Sequence, residues 1–287
     1  MDKKIALVTG ANSGVGKATA AALADKNMHV VMLCRSEKRG GTAFDELNQV
    51  PTRSLDLMLC DLASQESIRQ FAKEFHEKYD RLDVLVNCAG VITLDRRETT
   101  DGFELQFGVN HLGHFLLTLL LLKALRKSGK GRIVIVGSGA HNIGKIHFND
   151  IQLTKGYNVA KSYGQSKLAD LLFARELARR LKERGSGITV NTLCPGPVGS
   201  QMGVDRETGF GGGIMRLLGL VFPTPEEGAE TPVFLASDES VNDITGEYFR
   251  KCRLWPSSAR SKDMRDAKRL FELSEQLCGI TFEEAME

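Results

Sequence analysis

A short apolar run, Ile5-Ala6-Leu7-Val8, breaks into Thr9-Gly10-Ala11-Asn12-Ser13-Gly14-Val15-Gly16, and an Ala-rich stretch follows from Gly14 to Lys26. A buried strand, a glycine turn and a helix in that order make a β-α unit. The same alternation then recurs. His29–Cys34 reads as a second strand, Glu37–Asn48 as a helix, and Leu55–Leu59 as a third strand ending at Asp61. Ser64–Lys78 is a predicted helix with Ser64 as N-cap. Leu82–Val86 is a fourth strand, closed by Asn87-Cys88-Ala89-Gly90. A long helix is predicted from about Asp101 to Lys127, with Asp101 and Glu104 at capping-box spacing.

Ile133–Val136 is the fifth predicted strand, and a helix carrying Tyr163 runs to about Arg184. Ile188–Leu193 is the sixth. Thr224-Pro225-Glu226-Glu227 reads as N-cap, N1 proline and N3 acid, opening a helix to about Ala236. Tyr248-Phe249 is a last short strand, and Ser261–Leu277 a charged C-terminal helix. Alternation of this kind predicts an α/β chain: a single Rossmann-type doubly wound domain, its mainly parallel sheet flanked by helices. The expected organisation is one domain over 1–250, with a substrate lid around 201–222. Residues 251–287 form a helical extension packed on the same domain.

A length of 287 residues, 42% of them hydrophobic, suffices for one full core. The net charge of +2 does not argue for a nucleic-acid partner. Cys34, Cys60, Cys88, Cys194, Cys252 and Cys278 show no paired spacing and read as free, buried thiols in a reducing compartment. Met1-Asp2-Lys3-Lys4 leads straight into the first strand, leaving no room for an apolar leader, and Phe115–Leu122 is too short an apolar run to span a bilayer. The expectation is a cytoplasmic protein.

The glycine turn suits a diphosphate. Gly10, Gly14 and Gly16 let backbone N–H groups approach an anion that side chains would block. The second strand ends in Leu33-Cys34-Arg35-Ser36, with Lys38 and Arg39 close by and no acid before Glu37. NAD sites commonly place an acid there, whereas a guanidinium suits a 2′-phosphate. NADP(H) is therefore expected ahead of NAD(H). The plainer reading of Arg35 is an exposed charge at a helix start.

Tyr163-Gly164-Gln165-Ser166-Lys167 places a phenol and an ammonium one turn apart on a single helix face. A phenol titrates near about 10, and a neighbouring positive charge favours its ionised form. Ser138 ends the fifth strand upstream. Tyr163 as acid and base, Lys167 as the adjoining charge and Ser138 as donor to a substrate oxygen suit hydride exchange at a carbonyl or alcohol.

In these motifs the chain resembles the short-chain dehydrogenase/reductase family, from Lys4 to about Phe249. The resemblance implies that the loop residues Asn12, Ser13 and Val15 hold the cofactor with the glycines. It implies that Asp61, with Leu62 beside it, contacts the adenine, and that Asn87, Ala89 and Gly90 support the site. Cys88 stands where that segment commonly carries a second Asn, and reads as a small buried residue. Lys167 would also hold the nicotinamide ribose. Asn110 would kink its helix and position a water for proton relay. Pro195 and Gly196 would turn near the nicotinamide, Val198 would meet the carboxamide through its backbone, and Ser200 would add a hydroxyl. His111 and His114 lack a third ligand, so no metal is expected. His141 and His147 fall near the expected mouth of the site, with no catalytic role.

Longer segments, Val109–Thr118, Ile146–Ile151, Ala174–Leu181 and Leu270–Ser274, resemble the retinol dehydrogenase-like branch, which itself resembles protochlorophyllide reductases. That implies a lipophilic carbonyl or alcohol substrate, as for a retinol dehydrogenase or a general carbonyl reductase. The lid segment is glycine-rich, then apolar. It would cover such a substrate or lie weakly against a membrane surface, or simply pack on the domain. Surplus apolar surface on the Asp101–Lys127 and Tyr163 helices suggests a homodimer or homotetramer. The competing functions are a non-enzymatic NADP(H)-binding sensor or scaffold, and a double-bond reductase of the protochlorophyllide type.

Overall fold

The computed structural model describes residues 3–196 and 224–287. The expected lid at 201–222, with Val198 and Ser200, lies outside the described residues. Among the described residues, eight strands form one sheet in the order β3-β2-β1-β4-β5-β6-β7-β8. They are β1 (Ile5–Thr9), β2 (His29–Cys34), β3 (Ser54–Leu59), β4 (Val84–Asn87), β5 (Arg132–Val136), β6 (Thr189–Leu193), β7 (Tyr248–Arg250) and β8 (Arg253–Leu254). All neighbours run parallel except β7 and β8. The two-residue β8 carries no alternation for a sequence reading to detect.

The helices are α1 (Gly14–Asp25), α2 (Glu37–Asn48), α3 (Gln65–Lys78), α4 (Leu105–Lys127), α5 (Val159–Glu183), α6 (Pro225–Ser237), α7 (Met264–Cys278) and α8 (Phe282–Met286). Two apolar clusters fill the two faces of the sheet. One gathers α3, α4, α5 and α7, and the other gathers α1, α2 and α6. Strand order reverses between β1 and β4, so the loops leaving these two strands part from each other. In doubly wound sheets that divergence opens a crevice beyond the carboxyl ends of the strands.

Most predicted boundaries lie within a residue or two of the observed ones, and three differences have clear causes. The long helix starts at Leu105, because fully buried Glu104 caps it, accepting from Gln106 N at 3.0 Å and Phe107 N at 2.8 Å. Asp101 serves another helix instead, accepting from Gln65 N at 2.9 Å at the start of α3. Arg260–Lys262 form a separate 3₁₀ turn, and α7 begins after Asp263, whose carboxylate accepts from Arg265 N at 2.9 Å. Leu82 and Asp83 precede β4 rather than belong to it; the Asp83 carboxylate accepts from Ile5 N at 2.7 Å.

Within α4, Gly108–Gly113 is a π-helical segment. A Cβ on Gly113 would sit 2.5 Å from the Leu62 carbonyl oxygen, so only glycine lets the loop after β3 approach here. Helix α4 is 23 residues long and its most apolar 18-residue stretch has mean hydropathy 1.4, so it is long and apolar enough to cross a membrane, unlike the Phe115–Leu122 run considered alone. Yet 89% of its most apolar stretch is buried inside this fold.

Part of that cover comes from α7 and α8. Phe271 meets Phe115 edge-on at 5.0 Å, and the Arg180 guanidinium lies 4.0 Å from the Phe271 ring centre. Leu270, Phe271, Cys278 and Phe282 are all buried in the same cluster. The apolar surface of α4 and α5 that suggested a subunit contact is thus covered from within the chain. It no longer argues for a homodimer or homotetramer. All six cysteines are free thiols.

Helix α7 also grips the π segment. The His111 ring donates from Nε2 to Ser274 Oγ at 2.8 Å, and that hydroxyl donates onward to the Leu270 carbonyl. Burial pushes the His111 imidazole down to about 3, from an ordinary 6.5. An unfolded His111 takes up a proton below 6.5, while the folded one stays neutral to about 3. Its contribution to stability is therefore complete above 6.5 and is lost as pH falls. His111→Phe should remove this dependence. Between about pH 7 and about pH 5, the unfolding free energy of wild type should fall on the order of 2 kcal/mol further than that of the variant, read by denaturant titration.

Candidate active site

A cavity of about 600 Å³ opens at the divergence of β1 and β4. The glycine loop forms one wall. Ser13 is the N-cap of α1 but makes no side-chain capping bond, so the first N–H groups of the helix lack that internal partner. A Cβ on Gly16 would lie 2.5 Å from the Gly10 carbonyl oxygen, which ties the tightness of the turn to glycine. Gly10, Asn12, Ser13, Gly14, Val15 and Gly16 all line this cavity. So do Arg35, Asp61, Leu62, Ala89 and Gly90.

The Arg35 end of the cavity is basic. Lys38 and Arg39 line it beside exposed Arg35. Glu46, the acid on this side, is engaged by Lys17 in an ion pair. Asp61 is half-buried; its carboxylate accepts from Ala63 N at 3.0 Å. Asn87 behaves differently from its expected neighbours. It is buried below the cavity and donates from Nδ2 to Thr118 Oγ1 at 2.9 Å, bracing β4 against α4. Cys88 lines the cavity, and burial pushes its thiol up to about 12.

Thr9 was not singled out from the sequence, yet it joins the two strands at the switch point. Its Oγ1 accepts from Cys88 N at 2.8 Å and Ala89 N at 2.9 Å, and lies 3.0 Å from His114 Nε2. His114 Nδ1 lies 2.9 Å from the Asn110 carbonyl, which can only accept. The proton therefore sits on Nδ1, and the Thr9 hydroxyl donates to Nε2. Burial holds this imidazole down at about 4, so it is neutral at physiological pH. A hydroxyl ending the first strand just before Gly10 was the available sequence signal.

Asn110 sits inside the π segment. Its side chain accepts from Val91 N at 2.8 Å, and donates to the Val91 carbonyl and to Ser166 Oγ, each at 3.1 Å. It thereby fastens the β4 loop to the helix of Tyr163. Lys167, on α5, is buried. Its Nζ donates to the Val136 carbonyl at 3.1 Å and to Asp170 Oδ2 at 2.9 Å, and lies 5.9 Å from the Tyr163 ring centre. Burial opposes this charge, but Asp170 and Tyr163 outweigh it and hold Lys167 above its ordinary value.

Ser138 follows β5, two residues beyond that carbonyl, and its hydroxyl accepts from Ala140 N at 3.2 Å. The neighbouring His141 donates to the Ser138 carbonyl at 2.7 Å and accepts from Ser258 N at 3.2 Å. It anchors the turn after Ser138 to the C-terminal segment. Pro195 and Gly196 stand half-buried at the end of β6. His147 is half-buried, and its N–H donates to Gln165 Oε1 at 2.9 Å. Among the described residues, no three of His, Cys, Asp or Glu converge as metal ligands.

The sequence model of the short chain dehydrogenase family matches residues 4–209. This chain belongs to that family. Retinol dehydrogenase 12 of Mus musculus is 42% identical over 283 residues, covering 98% of this chain and 88% of its own. Retinol dehydrogenase 14 of Mus musculus is also 42% identical, over 295 residues, covering 98% and 87%. A solved structure of an uncharacterised protein from Mycobacterium paratuberculosis superposes with a TM-score of 0.80 at 32% identity, covering 97% of this chain and 94% of that one. Within the family the chain falls in the retinol dehydrogenase-like branch. It is an oxidoreductase acting on CH–OH and C=O groups.

The Thr9 hydroxyl carries a direct test of this arrangement. Thr9→Val keeps the volume but leaves Cys88 N–H and Ala89 N–H without their acceptor. Each lost partner costs about 1–3 kcal/mol. A fall of at least about 2 kcal/mol in unfolding free energy is expected by denaturant titration. Amide exchange at Cys88 and Ala89 should speed up more than exchange in β6.

Proposed function

We propose that this chain is an NADP(H)-dependent oxidoreductase that interconverts a lipophilic carbonyl compound and its alcohol. The observation that carries the chemistry is the buried Lys167 ammonium, 5.9 Å from the Tyr163 ring centre and tied to the strand that leads to Ser138. A positive charge held there stabilises negative charge on the phenol oxygen as the proton moves, so Tyr163 can both give and take a proton. In reduction, the Tyr163 hydroxyl protonates the substrate oxygen, and the Ser138 hydroxyl donates a hydrogen bond to that oxygen as charge develops. In oxidation, the Tyr163 phenolate takes the proton back. Asn110 keeps the β4 loop and α5 in register while this happens.

The residues fit a dinucleotide. A Cβ at Gly16 would fill the cradle at the turn, and the α1 N-terminus suits a diphosphate. Gly10, Asn12, Ser13, Gly14, Val15 and Gly16 would hold the diphosphate side. Asp61 and Leu62 would flank the adenine, and Ala89, Gly90 and the Lys167 ammonium the nicotinamide half. Asn87 would support them from below. Pro195 and Gly196 would stand at the nicotinamide end. NADP(H), when bound, supplies or accepts the hydride. Arg35 is the residue we assign to its 2′-phosphate, with Lys38 and Arg39 adding charge. A presumed NAD(P)-dependent gluconate 5-dehydrogenase from Beutenbergia cavernae, 27% identical with a TM-score of 0.68, has been solved with NADP bound, over 86% of this chain and 94% of that one. The names of the retinol dehydrogenase relatives support a lipophilic substrate.

NADPH oxidation with a panel of aldehydes and ketones, retinal included, tests the reading, with NADH in parallel. Tyr163→Phe should lower kcat/KM about 100-fold or more while NADPH still binds, read by fluorescence titration. Retained turnover would defeat the assigned proton transfer. Arg35→Leu should weaken NADPH about 10-fold or more and leave NADH nearly unchanged. Equal loss for both cofactors would remove Arg35 from the 2′-phosphate. Tight NADPH binding without turnover on any substrate would favour a sensor.

A further inference from the structure

Lys167 shares its pocket with a carboxylate. Asp170 is one turn further along α5; it is 2% exposed and Lys167 4%. Asp170 Oδ2 lies 2.9 Å from Nζ. The second acceptor is the Val136 carbonyl, at 3.1 Å. An ammonium has three N–H donors, and these two partners take up two of them. Two bonds at a fixed angle also restrain a long side chain that would otherwise adopt many rotamers.

We propose that Asp170 is a positioning residue for Lys167: its carboxylate clamps the ammonium in place and keeps it charged in a dry site. The role of the Tyr163–Lys167 pair in turnover rests on the function proposed above; the clamp itself does not. Other groups bear on Lys167 besides Asp170. Tyr163 acts from the same helix and Cys88 from the β4 loop. His111 bears on it from the π segment and His114 from the next residue of α4 after that segment. Burial keeps both imidazoles neutral at physiological pH and the Cys88 thiol protonated. Asp170 is the carboxylate of this set. Burial pushes Asp170 itself up to about 6, and the Lys167 ammonium pulls against that rise.

The signs are fixed by the charges. Without the carboxylate, burial acts on the ammonium with less opposition, and Lys167 gives up its proton at lower pH. Carbonyl reduction needs an ammonium and a protonated phenol together. Earlier loss of the ammonium therefore moves the alkaline limb of the reduction profile toward lower pH.

Asp170→Asn keeps the shape and a carbonyl acceptor but removes the charge. The first readout is independent of turnover. In full-length protein labelled at lysine ¹³Cε, the Lys167 signal, assigned with Lys167→Arg, is titrated by NMR. Its midpoint should fall by about one pH unit or more in Asp170→Asn. An unchanged midpoint overturns the proposal. The second readout is the pH profile of kcat/KM for NADPH-dependent aldehyde reduction, whose alkaline limb should move by a similar amount. A limb that stays in place while the NMR midpoint moves overturns the role in turnover. Wild type that binds NADPH but reduces nothing overturns the function proposed above, and the NMR titration still decides the clamp. Should Asp170→Asn not fold, Asp170→Ser replaces it with the same expectations.

Discussion

The hydroxyl of Thr9 carries a junction on which much of the site depends. Where β1 and β4 part, two backbone N–H groups of the β4 loop would point at nothing. Thr9 Oγ1 accepts both, at 2.8 and 2.9 Å, and donates a hydrogen bond of its own to His114 Nε2. The imidazole passes the other end of the chain to the Asn110 carbonyl. Four elements are thereby held by one set of bonds: the first strand, the β4 loop, the π segment and, through Ser166, the helix of Tyr163. In a low-dielectric site such bonds strengthen one another, and any orphaned member is costly. That cost is what makes the constellation stiff.

A second constraint is electrostatic. Burying the Lys167 ammonium demands compensation, because removing a charge from water is expensive unless it is paired and hydrogen-bonded. The fold supplies Asp170 and the Val136 carbonyl. The carbonyl belongs to the strand that leads to Ser138, so compensating the charge also ties the helix of Tyr163 to that strand. The C-terminal helices close the structure on the far side. α7 touches the π segment at two points, Ser274 on the His111 ring and Cys278 on the Leu112 carbonyl. The π segment around Asn110 is thus gripped both from the site and from the C-terminus.

Much of this was legible in the sequence. Short apolar runs followed by helix-period segments specify parallel strands with crossover helices, whatever the detail. Residues set by local backbone chemistry were found for the same reason: the glycines of the turn, the Ser64 and Thr224 caps, and the tyrosine and lysine one turn apart. Arg35 stood out because strand ends in such sheets point to one crevice. Asp101 misled, because capping-box spacing is met equally well by an acid that serves another helix. Asn87 was named as support for the site, and its bond to Thr118, which joins β4 to α4, could be seen only in the folded chain.

The chain sequence by itself determined the order of elements, the glycine loop and the Tyr163–Lys167 pair, since each depends on residues within a few positions of one another. Tertiary structure alone decided the rest. Thr9 meets the β4 loop and His114 across 79 to 105 positions of chain. The cover of α4 and α5 by α7 and α8 likewise arises from distant segments that no local pattern links. Asp170 lies three residues from Lys167, near enough to have been noticed, but a helix side chain at that spacing is as often solvated as paired. What made it a buried partner was the packing of α5 against the sheet, which took water away from both charges at once.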